Sequence, residues 1–104
     1  MRVRIAAKAK REMDEIWRYW FMRASEVTAN GEIGKIVRGI HVVAMQPGCA
    51  KNAEEAPGYL RIGAESYVIY FRKFRDEMRV EHVMRAERER DRKRLARGWK
   101  PARQ

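Results

Sequence analysis

The stretch that most constrains the fold is Tyr67-Val-Ile-Tyr-Phe71, an unbroken run of five β-branched or aromatic residues. Such a run predicts a strand that is buried on both faces. Further apolar segments, at 59–62 and 78–84, predict a strand on each side of it. The connections at 63–66 and 75–77 are short, and short turns join antiparallel neighbours. The sequence therefore predicts a three-stranded antiparallel meander.

Residues before the meander must cover it. Arg2-Val-Arg-Ile5 alternates polar and apolar residues and predicts a short strand that joins the same sheet. Two stripes with helical spacing follow, one from about residue 7 to residue 23 and one that Ser25 caps and Pro47-Gly48 ends. The first stripe is Ala9, Met13, Ile16, Trp17 and Trp20, and the second is Ala29, Ile33, Ile36, Val37, Ile40 and Ala44.

The two stripes face one way and their connection is short, which predicts an antiparallel helical hairpin on one face of the sheet. The fold class is therefore α+β, with a mainly antiparallel sheet. Pro47 to Pro57 has no periodicity and predicts a surface loop. In the last strand, alternation predicts one shared face for a set of four side chains. They are Met78, Val80, His82 and Met84.

The chain of 104 residues carries a formal net charge of +10. It divides into a predicted single domain, residues 1–85, and a basic C-terminal helix or tail, residues 86–104. Residues 85–104 hold nine Lys or Arg and three acidic residues. Such a concentration of positive charge favours a polyanion or an acidic protein as partner. Its simpler interpretation is a solvated helix surface.

No apolar run is long enough to span a bilayer, and the single Cys49 allows no internal disulfide, which suits a cytoplasmic protein. His41, His82 and Cys49 lie in different elements without metal-ligand spacing, so we expect neither a metal site nor a cofactor. His82, within a strand, is more simply a partly buried structural histidine.

Metal-free cleavage of RNA would need a base, an acid and cations around the phosphate. The candidates on the sheet and beyond it are Arg61, Tyr70, Arg72, Arg79 and Arg88. The simpler interpretation is that they are surface arginines and a core tyrosine.

The order strand, helical hairpin, meander and basic end resembles the RelE/ParE superfamily of toxins from type II toxin–antitoxin systems. Four stretches are similar to the ParE branch in particular. They are Met13-Asp-Glu-Ile-Trp-Arg-Tyr19, Pro47-Gly48, Leu60-Arg61 with Ser66-Tyr-Val-Ile-Tyr-Phe71, and Arg79-Val-Glu-His-Val83 with Arg90-Asp91. The RelE pattern is met less well, because only Arg61 stands in the second strand, Val68 replaces a common arginine, and no tyrosine follows Tyr70.

The ParE resemblance implies a non-catalytic inhibitor of DNA gyrase, neutralised by an acidic cognate antitoxin and binding operator DNA only together with it. The residues expected to contact the target are Arg61, Arg72, Arg79, Arg88 and Arg90. A RelE-like ribosome-dependent mRNA endonuclease that uses Arg61 and Arg88 stays an alternative. A third is a basic binding module without toxic activity.

Overall fold

The structure, a computed structural model, describes residues 1–86, so the segment 87–104 and most of the predicted basic tail lie outside it. Within residues 1–86, two helices pack on a five-stranded sheet in the order β1-β5-β4-β3-β2. The elements are β1 (Arg2–Ile5), α1 (Ala7–Arg23), α2 (Glu26–Met45), a 3-10 turn (Pro47–Cys49), β2 (Lys51–Asn52), β3 (Leu60–Ala64), β4 (Tyr67–Lys73) and β5 (Glu77–Arg85).

This architecture confirms the predicted α+β fold. β3, β4 and β5 form the antiparallel meander, and β1 joins it as a strand parallel to β5. The segment predicted as a loop after Pro47 contains two short elements that the sequence did not reveal, the 3-10 turn and β2, which pairs with β3. A two-residue strand has too few residues for its periodicity to be recognised.

Helix α2 begins as predicted, because the Ser25 hydroxyl accepts a hydrogen bond from the Thr28 backbone N–H at 3.1 Å. Its buried face includes Ala29, Ile36 and Val43. The prediction that Val37 faces the core is wrong: its side chain is 50% exposed. Adjacent helical residues differ by about 100°, so the face that buries Ile36 turns the next residue toward solvent. Within residues 1–86, neither helix has the length and hydrophobicity that crossing a membrane requires.

Strand β4 is buried on both faces, as its composition predicts. On the face toward the helices, Tyr67, Ile69 and Phe71 join the main core, which also contains residues of both helices. On the other face, which we call the outer face, Val68 and Tyr70 pack in a second cluster. The cover there comes from the segment 53–59, whose members in the cluster are Ala53, Ala56 and Tyr59.

A β-bulge changes which side chains of β5 face the helices. Tyr70 pairs with His82 but Phe71 pairs with Val80, so the ladder passes over Glu81. Because one residue is inserted, Val83 joins the main core that contains Val80. The predicted single face for Met78, Val80, His82 and Met84 is therefore wrong: the first two lie in the main core, while Met84 packs against the outer-face cluster.

Helix α1 is fixed to the edge of β5 beyond the end of β1. The Ala6 backbone N–H donates to the Val80 carbonyl at 2.9 Å, where the paired part of β1 ends. Farther along, the Glu12 carboxylate accepts a hydrogen bond from the Val83 backbone N–H at 2.9 Å, and its other oxygen lies 3.4 Å from Nδ1 of His82. A helix side chain thus satisfies a backbone donor of the strand. His82 is buried, as predicted for a structural histidine.

Helix α2 approaches the sheet most closely at Gly39. A Cβ added there would lie 2.9 Å from both the Ala64 Cβ and the Ile69 Cδ1, well inside van der Waals contact. At Gly31, in the same helix, an added Cβ would have no neighbour within 4 Å. Gly39 and Gly31, two of the three glycines of α2, therefore have different surroundings although they lie in one helix.

Alanine at these two glycines should change stability in opposite directions. Gly39→Ala should lower the free energy of unfolding by about 1–3 kcal/mol, because the methyl group overpacks the contact with β3 and β4. Gly31→Ala should raise it by about 0.4–1 kcal/mol, because the unfolded chain loses freedom and the helix gains a better former. Urea unfolding followed by circular dichroism measures both. Equal changes in the two variants would contradict the close approach at Gly39.

Candidate functional site

The outer face of the sheet collects the three arginines that the sequence offered and the structure describes. Arg61 lies between Leu60 and Ile62, which pack on the main core, so its own side chain points to the outer face. The same alternation applies to Arg72, which follows the core residue Phe71. Arg79 is flanked by Met78 and Val80, both of the main core. The predicted target-contact residues 88 and 90 lie outside the described residues.

One carboxylate organises the part of the outer face around Arg61. A single oxygen of Glu55, Oε2, lies 2.8 Å from Nη1 of Arg61 and accepts a hydrogen bond from the Tyr70 hydroxyl at 2.7 Å. Arg61 and Tyr70 are cross-strand partners in the β3–β4 ladder, which explains why one acceptor reaches both. Two of the candidates for phosphate chemistry are therefore engaged by an internal acid.

A second charged cluster lies farther along β4 and β5. The guanidinium groups of Arg72 and Arg79 lie over the ring of Phe74, 5.1 Å and 4.5 Å from its centroid. Nε of Arg79 also donates to Oε2 of Glu81 at 2.8 Å. Burial raises the pKa of the Tyr59 phenol, and the charge of Glu81 raises it further, while Arg72 and Arg79 oppose this shift.

On the helix side, a hydrogen-bonded network ties β4 to both helices. The Tyr67 hydroxyl donates to Oε1 of Glu32 at 2.7 Å and accepts from Nε1 of Trp20 at 3.0 Å. Glu32 also binds Nζ of Lys35 through its other oxygen, at 2.6 Å. This network shares a buried tyrosine among three elements, so it fixes the hairpin on the sheet.

The helices also present apolar side chains to solvent. In the described part, the large hydrophobic residues that remain exposed are Met1, Phe21, Met22, Val27, Val37, Val42 and Met45. A separate cleft of about 270 Å³ lies between α1 and the end of β5. It is lined by Glu12, Glu15, Ile16, Tyr19, Trp20, Val83, Met84 and Arg85. Exposed apolar side chains on a small basic domain are typical of a surface that binds another protein.

Residues 3–96 match the family described as ParE toxin of type II toxin–antitoxin system, parDE. The chain belongs to the ParE toxin family. It is therefore a toxin of a type II toxin–antitoxin system, whose counterpart is an antitoxin, and this confirms the resemblance noted in the sequence.

A solved structure described as the chromosomal ParDE TA system from P. aeruginosa has a similar fold, with a TM-score of 0.76. The alignment covers 84% of this chain and 97% of that chain at 20% identity, so the likeness shows the fold alone. Among curated proteins, none matches the sequence.

Two residues that shape the outer face of the toxin were missed in the sequence. Glu55 lies in a stretch without periodicity, so nothing marked it as the partner of Arg61 and Tyr70. Phe74 directly precedes the predicted turn at 75–77, a position that carries no sequence signal for contact with two arginines. The residues around Glu55 do carry a signal that this segment packs on the sheet. Ala53 and Ala56 are small apolar residues, three positions apart, in an otherwise polar segment.

Residues 1–86 contain no group of three or more His, Cys, Asp or Glu side chains placed to hold an ion. His41 lies exposed on α2, and Cys49 lies in the 3-10 turn. His82 is in β5, close to Glu12 of α1.

The network around Tyr67 makes the toxin's stability depend on pH at both ends of the scale. Burial, and then the hydrogen bond to Glu32, raises the pKa of Tyr67 to about 12, whereas a tyrosine in an unfolded chain has a pKa of about 10. The neutral phenol thus contributes stability below about pH 10 that is lost as the pH rises toward 12. Hydrogen bonds from Lys35 and then Tyr67 lower the pKa of Glu32, so its contribution is lost as the pH falls below the usual glutamate range.

Tyr67→Phe should lower the free energy of unfolding at pH 7 by about 1–2 kcal/mol, because Glu32 loses a donor and Trp20 loses an acceptor. The variant should also lose less stability than the wild type between pH 10 and pH 12. Urea unfolding at pH 7, 10 and 11.5 measures both effects. Tyr19→Phe is the matched control, since it keeps the ring that lies under Arg23 and Arg85, and should change stability by less than about 0.5 kcal/mol. Parallel pH profiles for Tyr67→Phe and the wild type would contradict this role.

Proposed function

We propose that the toxin acts by binding and inhibiting DNA gyrase, in the cytoplasm, and that it is not an enzyme. The observation that carries this proposal is the match to the ParE family across residues 3–96, since gyrase is the typical target of that family. The proposed contacts with the target are Arg61, Arg72, Arg79, Arg88 and Arg90.

The geometry of the outer face supports binding over RNA cleavage. A nuclease would need cations directed at the reacting phosphate and a group ready to move a proton. Here Arg61 and Tyr70 both point to Glu55. A phosphate approaching Arg61 would meet the negative charge of Glu55 at once, which disfavours an accumulating charge in a transition state.

The antitoxin that neutralises this toxin is proposed to be acidic and to cover exposed apolar residues of the hairpin. Val37 and Met45 of α2 are 50% and 69% exposed, and the chain as a whole carries a net charge of +10. An amphipathic segment with acidic flanks would bury the first feature and balance the second. Operator DNA would be bound only by the pair.

Purified toxin should abolish the supercoiling activity of DNA gyrase and leave mRNA intact in a translating extract. The double variant Arg72→Ala/Arg79→Ala should need roughly five- to tenfold more protein for the same inhibition, because loss of the two arginines should cost the interface about 1–1.4 kcal/mol in total. Gel analysis of plasmid topology and of the transcript measures the two activities. Normal supercoiling at toxin excess, or a cut transcript, would remove the gyrase proposal.

Co-expression with the product of the adjacent gene should raise the soluble yield of the toxin. Val37→Asp should weaken the complex with that partner about tenfold or more, because a carboxylate is then buried against an apolar, acidic segment. Val37→Thr has nearly the same shape and should weaken the complex much less. Titration calorimetry measures all three affinities. Equal affinities for Val37→Asp and the wild type would place the antitoxin elsewhere.

A further inference from the structure

Three arginines stand side by side on the outer face, on three adjacent strands. The β4–β5 ladder pairs Arg72 with Arg79, and the β1–β5 ladder pairs Arg79 with Arg4. Arg4 lies between Val3 and Ile5, which pack on the main core, so it shares the outer face with the other two. We call Arg4, Arg79 and Arg72 the arginine row.

A row of like charges on neighbouring strands costs stability, because strands are only about 4.8 Å apart and side chains directly opposite repel. The surroundings reduce this cost only in part. Phe74 offers its ring face to two of the guanidinium groups, and Glu81 binds Arg79. Arg4 makes a longer contact with Glu77, at 3.7 Å, and its side chain is 64% exposed.

The charge around the row stays positive. Residues 2–5 and 72–81, which form β1 and the neighbouring ends of β4 and β5 with their turn, contain six basic and three acidic residues. They are Arg2, Arg4, Arg72, Lys73, Arg75 and Arg79, against Asp76, Glu77 and Glu81. The row thus has more cations than its own carboxylates neutralise, and an external anion would complete the balance.

The anion that fits is a chain of phosphates. Guanidinium groups form bidentate hydrogen bonds with phosphate oxygens. Three guanidinium groups within about 10 Å can hold successive phosphates of one polymer. A peptide ligand would need apolar anchors as well. The large exposed hydrophobic residues of the described part lie at Met1 and on the two helices, not on β3, β4 or β5.

We propose that the arginine row binds the phosphodiester backbone of duplex DNA, without regard to base sequence. The choice of duplex DNA rests on the proposed function, because gyrase would bring the toxin next to that polymer. The row deepens that proposal by adding Arg4 and by naming the chemistry that Arg72 and Arg79 recognise. Backbone contacts of this kind position a protein on DNA and give it a salt-dependent affinity.

The test compares full-length variants for binding to a fluorescent 20-base-pair duplex by anisotropy, over a series of salt concentrations. The triple variant Arg4→Gln/Arg72→Gln/Arg79→Gln should bind about tenfold or more weakly at low salt. Its plot of log affinity against log salt should be shallower by roughly two to three, since each lost phosphate contact removes about 0.9 from the slope. Single-stranded DNA and RNA of equal length should bind the wild type less tightly than the duplex.

The matched control is Arg11→Gln/Arg18→Gln/Arg38→Gln, which removes the same charge from exposed positions on the helices. Its slope should fall by less than one. Arg4→Gln alone guards against misfolding, because this side chain is exposed and should cost about one phosphate contact. A triple Arg→Lys variant of the row should keep the slope and lose affinity several-fold, because ammonium groups cannot bind in two-pronged fashion.

Equal losses in the row and control variants would overturn the proposal, as would tighter binding of RNA than of the duplex. Displacement of the duplex by polyglutamate at equal charge concentration would assign the surface to an acidic protein instead. The gyrase assay is separate: duplex binding that depends on the row, with uninhibited gyrase, would retain the row and reject the proposed target. Inhibited gyrase, with duplex binding that is unchanged in the row variant, would retain the proposed target and reject the row.

Discussion

The structure depends on removing both faces of β4 from water. Tyr67, Ile69 and Phe71 face the helices, while Val68 and Tyr70 face the opposite way, and all five are at most 3% exposed. Burying so many bulky side chains is the largest favourable contribution that a domain of this size can make to its folding. It also requires that both faces be covered. The helices cover one face and the segment 53–59 covers the other.

The second cover determines what the outer face can do. Where Ala53 and Ala56 lie against β4, the sheet is apolar and closed, and Glu55 between them reaches Arg61 and Tyr70. Beyond Ala53 and Ala56, beside Tyr59, the outer face bears Arg72 and Arg79. The outer face therefore has two parts. In one part, Arg61 and Tyr70 are paired with Glu55, and the other part is cationic.

Most of the fold could be predicted from the sequence, because helical stripes and the apolar run of β4 are long enough for periodicity to be read. The start of α2 at Ser25 and the extent of α1 follow directly from local chemistry. Which side chains of β5 face the helices could not be predicted, because the β-bulge at Glu81 depends on how β5 pairs with β4. For the site, the sequence pointed to Arg61, Arg72 and Arg79 but not to Glu55, since the Arg61–Glu55 pair joins a loop to a strand and leaves no local pattern.

The contact between Glu12 and Val83 has a consequence for the behaviour of the protein at high concentration. Among residues 1–86, no strand pairs with β5 on the β1 side past Val80, and unpaired strand edges readily recruit strands from other molecules. The carboxylate occupies the N–H of Val83 and puts a negative charge where an incoming strand would offer its own carbonyl oxygens. A single acidic side chain on a helix thereby disfavours pairing of this edge with a strand of another molecule.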